Sequence, residues 1–319
     1  MAERGISYAV ANQQNIAPEQ NGLLYIPSGF LTPGFITTVT CIGYDRKIRD
    51  LHYADPDNHR GLLEAMQVPY KLTGIDGYQF NRVNQGVNYS PIQMLQNADD
   101  VDAATSETNN SIRLRVEDQP GIAQLCSVIG ELHDNVRAHA EGMGFSMALN
   151  WNPNNPVIEF SVADKGKGFL RECQRIGVPD VVDDESAIRW CLTPRNTTKD
   201  RDHDEFAQMI PEDGMGNPFE GQADARPWHD GNNHQGLGLA KLMQLVTGYN
   251  GYLWVATGDT LMVSNPHTRK NDEFGYFCAM PHWKGVAIAC RLNISELGRI
   301  LEEEPFHDDV QDILDDILL

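Results

Sequence analysis

Glu131 and Asn135 stand four residues apart in the stretch CSVIGELHDNVRAHAEGMGFSMALNWNPNNPVIEFSVADKGKG, residues 126–168. At that spacing they share one face of a helix, one turn apart. A carboxylate there can take a proton from water, and an amide oxygen is a hard ligand suited to Mg²⁺. Further on, the apolar segment 157–163 runs straight into Asp164-Lys165-Gly166-Lys167-Gly168. An Asp at a strand end can accept a hydrogen bond from the amino group of adenine, and the glycines after it let backbone pass close to a ligand. A third segment, Gly236-Leu237-Gly238-Leu239-Ala240, opens a helical pattern whose first amides would face phosphates. No G-x-x-x-x-G-K-[ST] run occurs, so a nucleotide site here would work without a P-loop.

The three segments, in this order and with 164 − 135 = 29 positions from Asn135 to Asp164, resemble the N-box and the two glycine boxes of the GHKL ATPases. That group holds gyrase, the Hsp90 chaperones, the histidine kinases and the mismatch-repair MutL proteins. The resemblance implies an α/β fold over residues 111–293: a two-layer sandwich of the Bergerat type with a mixed, mostly antiparallel sheet. It implies ATP and Mg²⁺ as ligands, with Asn135 on the metal, Glu131 as general base and Asp164 reading adenine. Gly166 and Gly168 would shape the turn beside the base, and Gly236, Leu237, Gly238 and Leu239 would lie against the phosphates. His139 is similar to the histidine of the anti-sigma-like branch's Asn-x-x-x-His run; it would help hold phosphate, or merely sit well at a helix end. Residues 194–235 are polar, rich in Gly and Asp and without period, where the family keeps a lid over ATP. Within that lid Arg195, Thr197, Thr198 and Lys199 would reach the γ-phosphate, and Asn233 and His234 are similarly placed.

Two departures stand out. The family's threonine on the last core strand, which supports the adenine-reading Asp, falls here on Gly285-Val286. A lysine-bearing loop of the MutL and gyrase kind is missing, with Lys241 a weak substitute. His133-Asp134 superficially resembles the start of a histidine-kinase phosphoacceptor box but lies inside the N-box segment. The activity implied is ATP hydrolysis driving a lid or partner-binding switch. Two alternatives stay open: an anti-sigma-type serine/threonine protein kinase, and a non-hydrolysing ATP-dependent interaction module.

Composition narrows the surroundings. The 319 residues suffice for one large or two modest domains. With 25 basic against 45 acidic residues the formal net charge is −20, which argues against a nucleic-acid backbone or an anionic membrane as main partner. The six cysteines are scattered without a C-x-x-C pair, as expected of a reduced, cytoplasmic protein. No apolar run approaches the roughly 18 residues of a membrane helix, and the first residues lack a signal peptide's apolar core. A protein partner of unknown identity is expected, and an oligomer is open.

The elements that must position these residues read as follows. Residues 1–20 are polar and expected to be loose. Residues 21–100 form a small α/β unit, with apolar runs at 23–26 and 35–42 and a helix over 58–66 capped by Asp57 or Asn58. This unit is similar to the STAS-like domains that precede GHKL modules, with Val68-Pro69-Tyr70 as the aromatic-tipped segment past the helix; an unrelated α/β extension is the other reading. Residues 74–110 read as linker with a short helix at 91–97, and 111–118 alternate as a strand. A helix follows from Pro120 to about Ala140, then a hairpin of 144–151 and 157–163, and helices at 169–176 and at 185–192, the latter capped by Asp184. After the helix 238–247 come strands at 252–256, 261–264 and 285–292, with 275–280 a fourth and Gly258-Asp259 a hairpin turn. Residues 295–319 form an acidic tail with Val310, Ile313, Leu314 and Ile317 at helical spacing.

Overall fold

Eight consecutive buried residues, Val157–Asp164, require a sheet covered on both faces. The computed structural model describes residues 2–19, 22–115, 119–139, 143–151, 156–194 and 238–299. In chain order these form β1 (Glu3–Arg4), α1 (Ile6–Ala11), α2 (Gln13–Ile16), β2 (Leu23–Ile26), β3 (Phe30–Leu31), α3 (Pro33–Asp45), β4 (Asp50–Tyr53), α4 (Pro56–Ala65) and α5 (Val68–Thr73). Next come β5 (Gln93–Leu95), α6 (Ala98–Arg115), α7 (Pro120–His139), β6 (Gly144–Trp151), β7 (Val157–Asp164), α8 (Phe169–Arg175) and α9 (Asp184–Leu192). The last are α10 (Gly238–Gly248), β8 (Tyr252–Ser264) and β9 (Tyr276–Asn293). The fold is mixed α/β.

A five-stranded antiparallel sheet, ordered β5-β6-β7-β9-β8, lies at the centre. Alternation along β7 sends Ile158, Phe160 and Val162 into a core shared with α6, α7, α9 and α10. Ala163, one position out of phase, joins Phe145, Trp283 and Ala287 in a second core. That second core is completed by Ile6, Leu24, Phe35, Ile36 and Leu63 from the first 65 residues. The N-terminal residues thus cover the second face of the sheet.

Residues 21–100 accordingly share their core with the sheet instead of closing one of their own, and the N-terminal residues expected to be loose carry two short helices. α3 is the centrepiece. Thr32 caps it, accepting from the Phe35 amide at 3.4 Å, and Pro33 occupies its first turn. Its threonines return their hydroxyls to the helix: Thr37 to Pro33 O at 2.9 Å, Thr38 to Gly34 O at 2.6 Å and Thr40 to Ile36 O at 2.7 Å. Those bonds let a β-branched run be buried as helix. The Thr37 hydroxyl also lies 2.6 Å from that of Ser161 on β7, and a β-carbon on Gly34 would come within 3.1 Å of Ala289. α4 begins one residue before the expected cap, and Val68-Pro69-Tyr70 lies within α5.

Of the expected linker 74–110, residues 75–92 are irregular, while 98–110 belong to α6. Asn97 caps it, accepting from Asp100 N at 2.9 Å, and Asp99 and Asp100 occupy the first turn. Its buried face is Val101, Ala104, Thr108, Ser111 and Ile112, a helical stripe built partly from small polar residues. The strand expected at 111–118 is in its described part the end of this helix, and 91–97 holds β5 instead of a helix. The four late strands are two long ones. Gly258 is a register shift inside β8, so the strand continues through the expected hairpin turn. The cap of α9 is Asp183, whose carboxylate accepts from Ser186 N at 2.8 Å. The turn 152–155 and the tail from 300 onward lie outside the described residues.

Candidate functional site

α7 is rotated into place by Ile122, Leu125, Ile129, Leu132 and Val136, all buried at spacings of three and four. Glu131 and Asn135 flank that stripe, Glu131 at 3 % exposure and Asn135 half-buried. Opposite them stands Gly238, the first described residue of α10. A β-carbon on Gly238 would lie 2.9 Å from Glu131 Cβ, 3.2 Å from Glu131 Oε2 and 3.7 Å from Asn135 Nδ2. Gly238 therefore faces Glu131 and Asn135 directly, and only hydrogen fits between it and Glu131. Glu131 Oε1 accepts from Lys241 Nζ at 2.6 Å, while Oε2 is buried and has no partner among the described residues. An ion left half-satisfied in a buried place is costly.

Asp164 ends β7. Gly144 pairs with it across β6 and β7, and a β-carbon on Gly144 would meet both Val136 Cγ1 (2.7 Å) and Asp164 Cβ (3.4 Å). The last turns of α7 thus rest on the strand end that carries Asp164. Asp164 Oδ1 accepts from Gly166 N at 2.6 Å and Val286 N at 3.4 Å. Burial pushes its carboxyl up to about 6, with those two amides and then Lys165 pulling the other way. Gly285, at φ 95°, passes so close that a β-carbon would sit 2.4 Å from Asp164 O and 2.6 Å from its Oδ1. Gly168, at φ 76°, opens α8 and would strike Thr257 Oγ1 at 2.9 Å.

Thr257 was not anticipated. It is fully buried on β8, donates to Gly285 O at 2.8 Å and accepts from Phe169 N at 3.4 Å. It braces the Gly285 crossing from the neighbouring strand, so a threonine does stand behind the Asp164 turn, though not at the Gly285-Val286 position. Its only sequence signal was a strand end read one residue short. Lys241, considered only as a stand-in for a loop lysine, contacts Glu131 instead.

His133 is fully buried, its Nδ1 2.8 Å from Thr105 Oγ1 and its Nε2 2.6 Å from Ser146 Oγ. Burial drives its imidazole down to about 3. It is a neutral pin joining α7 to α6 and β6, closed to a phosphoryl donor. Lys165 turns away from the glycine turn, its Nζ 3.4 Å from the centre of the Trp283 ring, and burial lowers its ammonium below the ordinary value. Gly166 is buried beside Asp164, and Leu239 and Ala240 are core residues of α10. His139 ends α7, and its side chain lies outside the described residues, as do Arg195, Thr197, Thr198, Lys199, Asn233, His234, Gly236 and Leu237. No family model, curated protein or solved structure matches this chain.

Proposed function

We propose that this chain binds Mg-ATP where α7, the Asp164 turn and the start of α10 meet, and that it hydrolyses the nucleotide. The observation that carries the reading is the Glu131 carboxylate, buried with one oxygen pinned and the other without a partner among the described residues. A buried carboxylate oxygen without a donor is suited to accept a proton from water. Asn135, beside it and half-buried, presents the amide oxygen that would hold Mg²⁺, and the ion when bound would offset phosphate charge. That protein donor, an amide oxygen, fits such a hard cation, which commonly keeps water and phosphate as its other ligands. Asp164 would supply the acceptor for an adenine amino group, with the β9 backbone at Gly285 packed against it. Amides at the start of α10 would meet the phosphates.

The finer fold expectation, a Bergerat-type site, belongs to the same proposal. It is supported by an antiparallel sheet with α7 and α10 together on one face and Asp164 at a strand end. Residues 194–235 would act as the lid, and nucleotide-dependent closure would be read by a protein partner. The test is single turnover of γ-labelled ATP with Mg²⁺ by the native chain and by Glu131→Gln. Label released as free phosphate by the native chain alone supports hydrolysis with Glu131 as base. Label on protein replaces it with a kinase, and intact bound ATP with a nucleotide-gated interaction module.

A further inference from the structure

Lys241 reaches from α10 across to α7, and its side chain is 38 % exposed while that of Glu131 is 3 % exposed. An exposed ion pair would be unremarkable and nearly neutral in energy. Here the carboxylate is buried and its two oxygens have different fates. Oε1 is bound by Nζ at 2.6 Å, and Oε2 has no donor among the described residues and looks onto the backbone at Gly238. The last torsion of a glutamate is broad and two-fold, so an unheld carboxylate exchanges its oxygens and swings freely. One strong donor at one oxygen removes that freedom.

We propose that Lys241 is the positioning residue for Glu131: it fixes Oε1 so that Oε2 alone is presented to the attacking water. The inference rests on the hydrolytic reading above. Lys241 takes no proton and touches no reacting atom; it acts through the orientation of the base. Gly238 is part of the same device: a β-carbon there would lie 3.2 Å from Oε2 and 2.9 Å from Glu131 Cβ, so a side chain would displace the carboxylate.

The test separates kcat from nucleotide binding. Native chain, Lys241→Met, Lys241→Arg, Glu131→Gln and the double variant Glu131→Gln/Lys241→Met are compared for ATP turnover and for equilibrium Mg-ATP binding, with melting curves to confirm folding. Lys241→Met is expected to lower kcat by about tenfold to a hundredfold, the scale of a misplaced general base, with the dissociation constant within about twofold of native. Lys241→Arg, which still donates, recovers most of kcat. The double variant turns over no slower than Glu131→Gln alone, because a base already removed cannot be misplaced. Native kcat in Lys241→Met overturns the proposal. So does a loss confined to binding, which would make Lys241 a phosphate contact. A native chain that binds ATP without turning it over overturns the hydrolytic reading itself and this inference with it.

Discussion

At the scale of single residues, two buried groups pull the pH dependence of stability in opposite directions. His133 titrates near 3 in the folded chain against 6.5 ordinarily, so between those values the unfolded chain binds the extra proton. Its contribution to stability is therefore lost as pH falls below about 6.5. Asp164 titrates near 6 against 3.8, so the folded chain holds that proton more tightly and stability is gained as pH falls from about 6. At about 1.4 kcal/mol per pKa unit, each effect is on the order of a few kcal/mol, and the two oppose each other. Urea unfolding between pH 4 and pH 7 checks this with two variants. The stability advantage of native over His133→Asn should shrink as pH is lowered, and that over Asp164→Asn should grow. Parallel trends would show that one of the two environments is wrongly described. Asp164→Asn should also bind ATP about tenfold or more weakly, the scale of a lost charge-assisted hydrogen bond.

Elements explain what a sequence shows and what it hides. α7 was legible because large apolar residues mark its stripe and Pro120 its start, and the β6–β7 pair because apolar and polar residues alternate on both sides of the Asn- and Pro-rich stretch 152–156. α6 was hidden because its inward face uses Ala104, Thr108 and Ser111, which lie against α7 and β6 without looking apolar. Asn97→Ala should cost about 1 kcal/mol by loss of the α6 cap, measured by chemical denaturation. Thr257 was hidden because its role depends on β9 crossing beside it, a long-range pairing that no local pattern carries. The Gly285 crossing is the more sensitive joint. Gly285→Ala places a β-carbon against Asp164 at an unfavourable φ, and should destabilise by about 3 kcal/mol or more while weakening nucleotide binding. Native-like binding by that variant would mean the turn is not fixed by this crossing.

Considered whole, the molecule is a five-stranded sheet with two coats, and the N-terminal residues, with two small two-stranded parallel sheets of their own, belong to the second coat. The Asn-, Gly- and Asp-rich stretch 74–110 reads as a linker and sets an expected boundary near residue 100. Helix–strand order alone could not show that α3 lies on β7, since Phe35 and Ile36 suit either a private core or a shared one. A chain starting at Gln93 would bare Phe145, Met147, Ala163, Trp283 and Ala287. It should therefore bind hydrophobic dyes and lack a cooperative thermal transition. Cooperative unfolding with native ATP affinity would restore the two-domain picture.

The central claim is that Glu131, Asn135, Asp164 and Gly238 form one Mg-ATP site, and calorimetric titration with ATP addresses it most directly. Native chain with Mg²⁺ should bind one ATP, and either chelation of the metal or Asn135→Ala should weaken that binding by about tenfold or more, the scale of losing a metal contact. Absence of binding at millimolar ATP, or binding indifferent to Mg²⁺ and Asn135, would contradict the account.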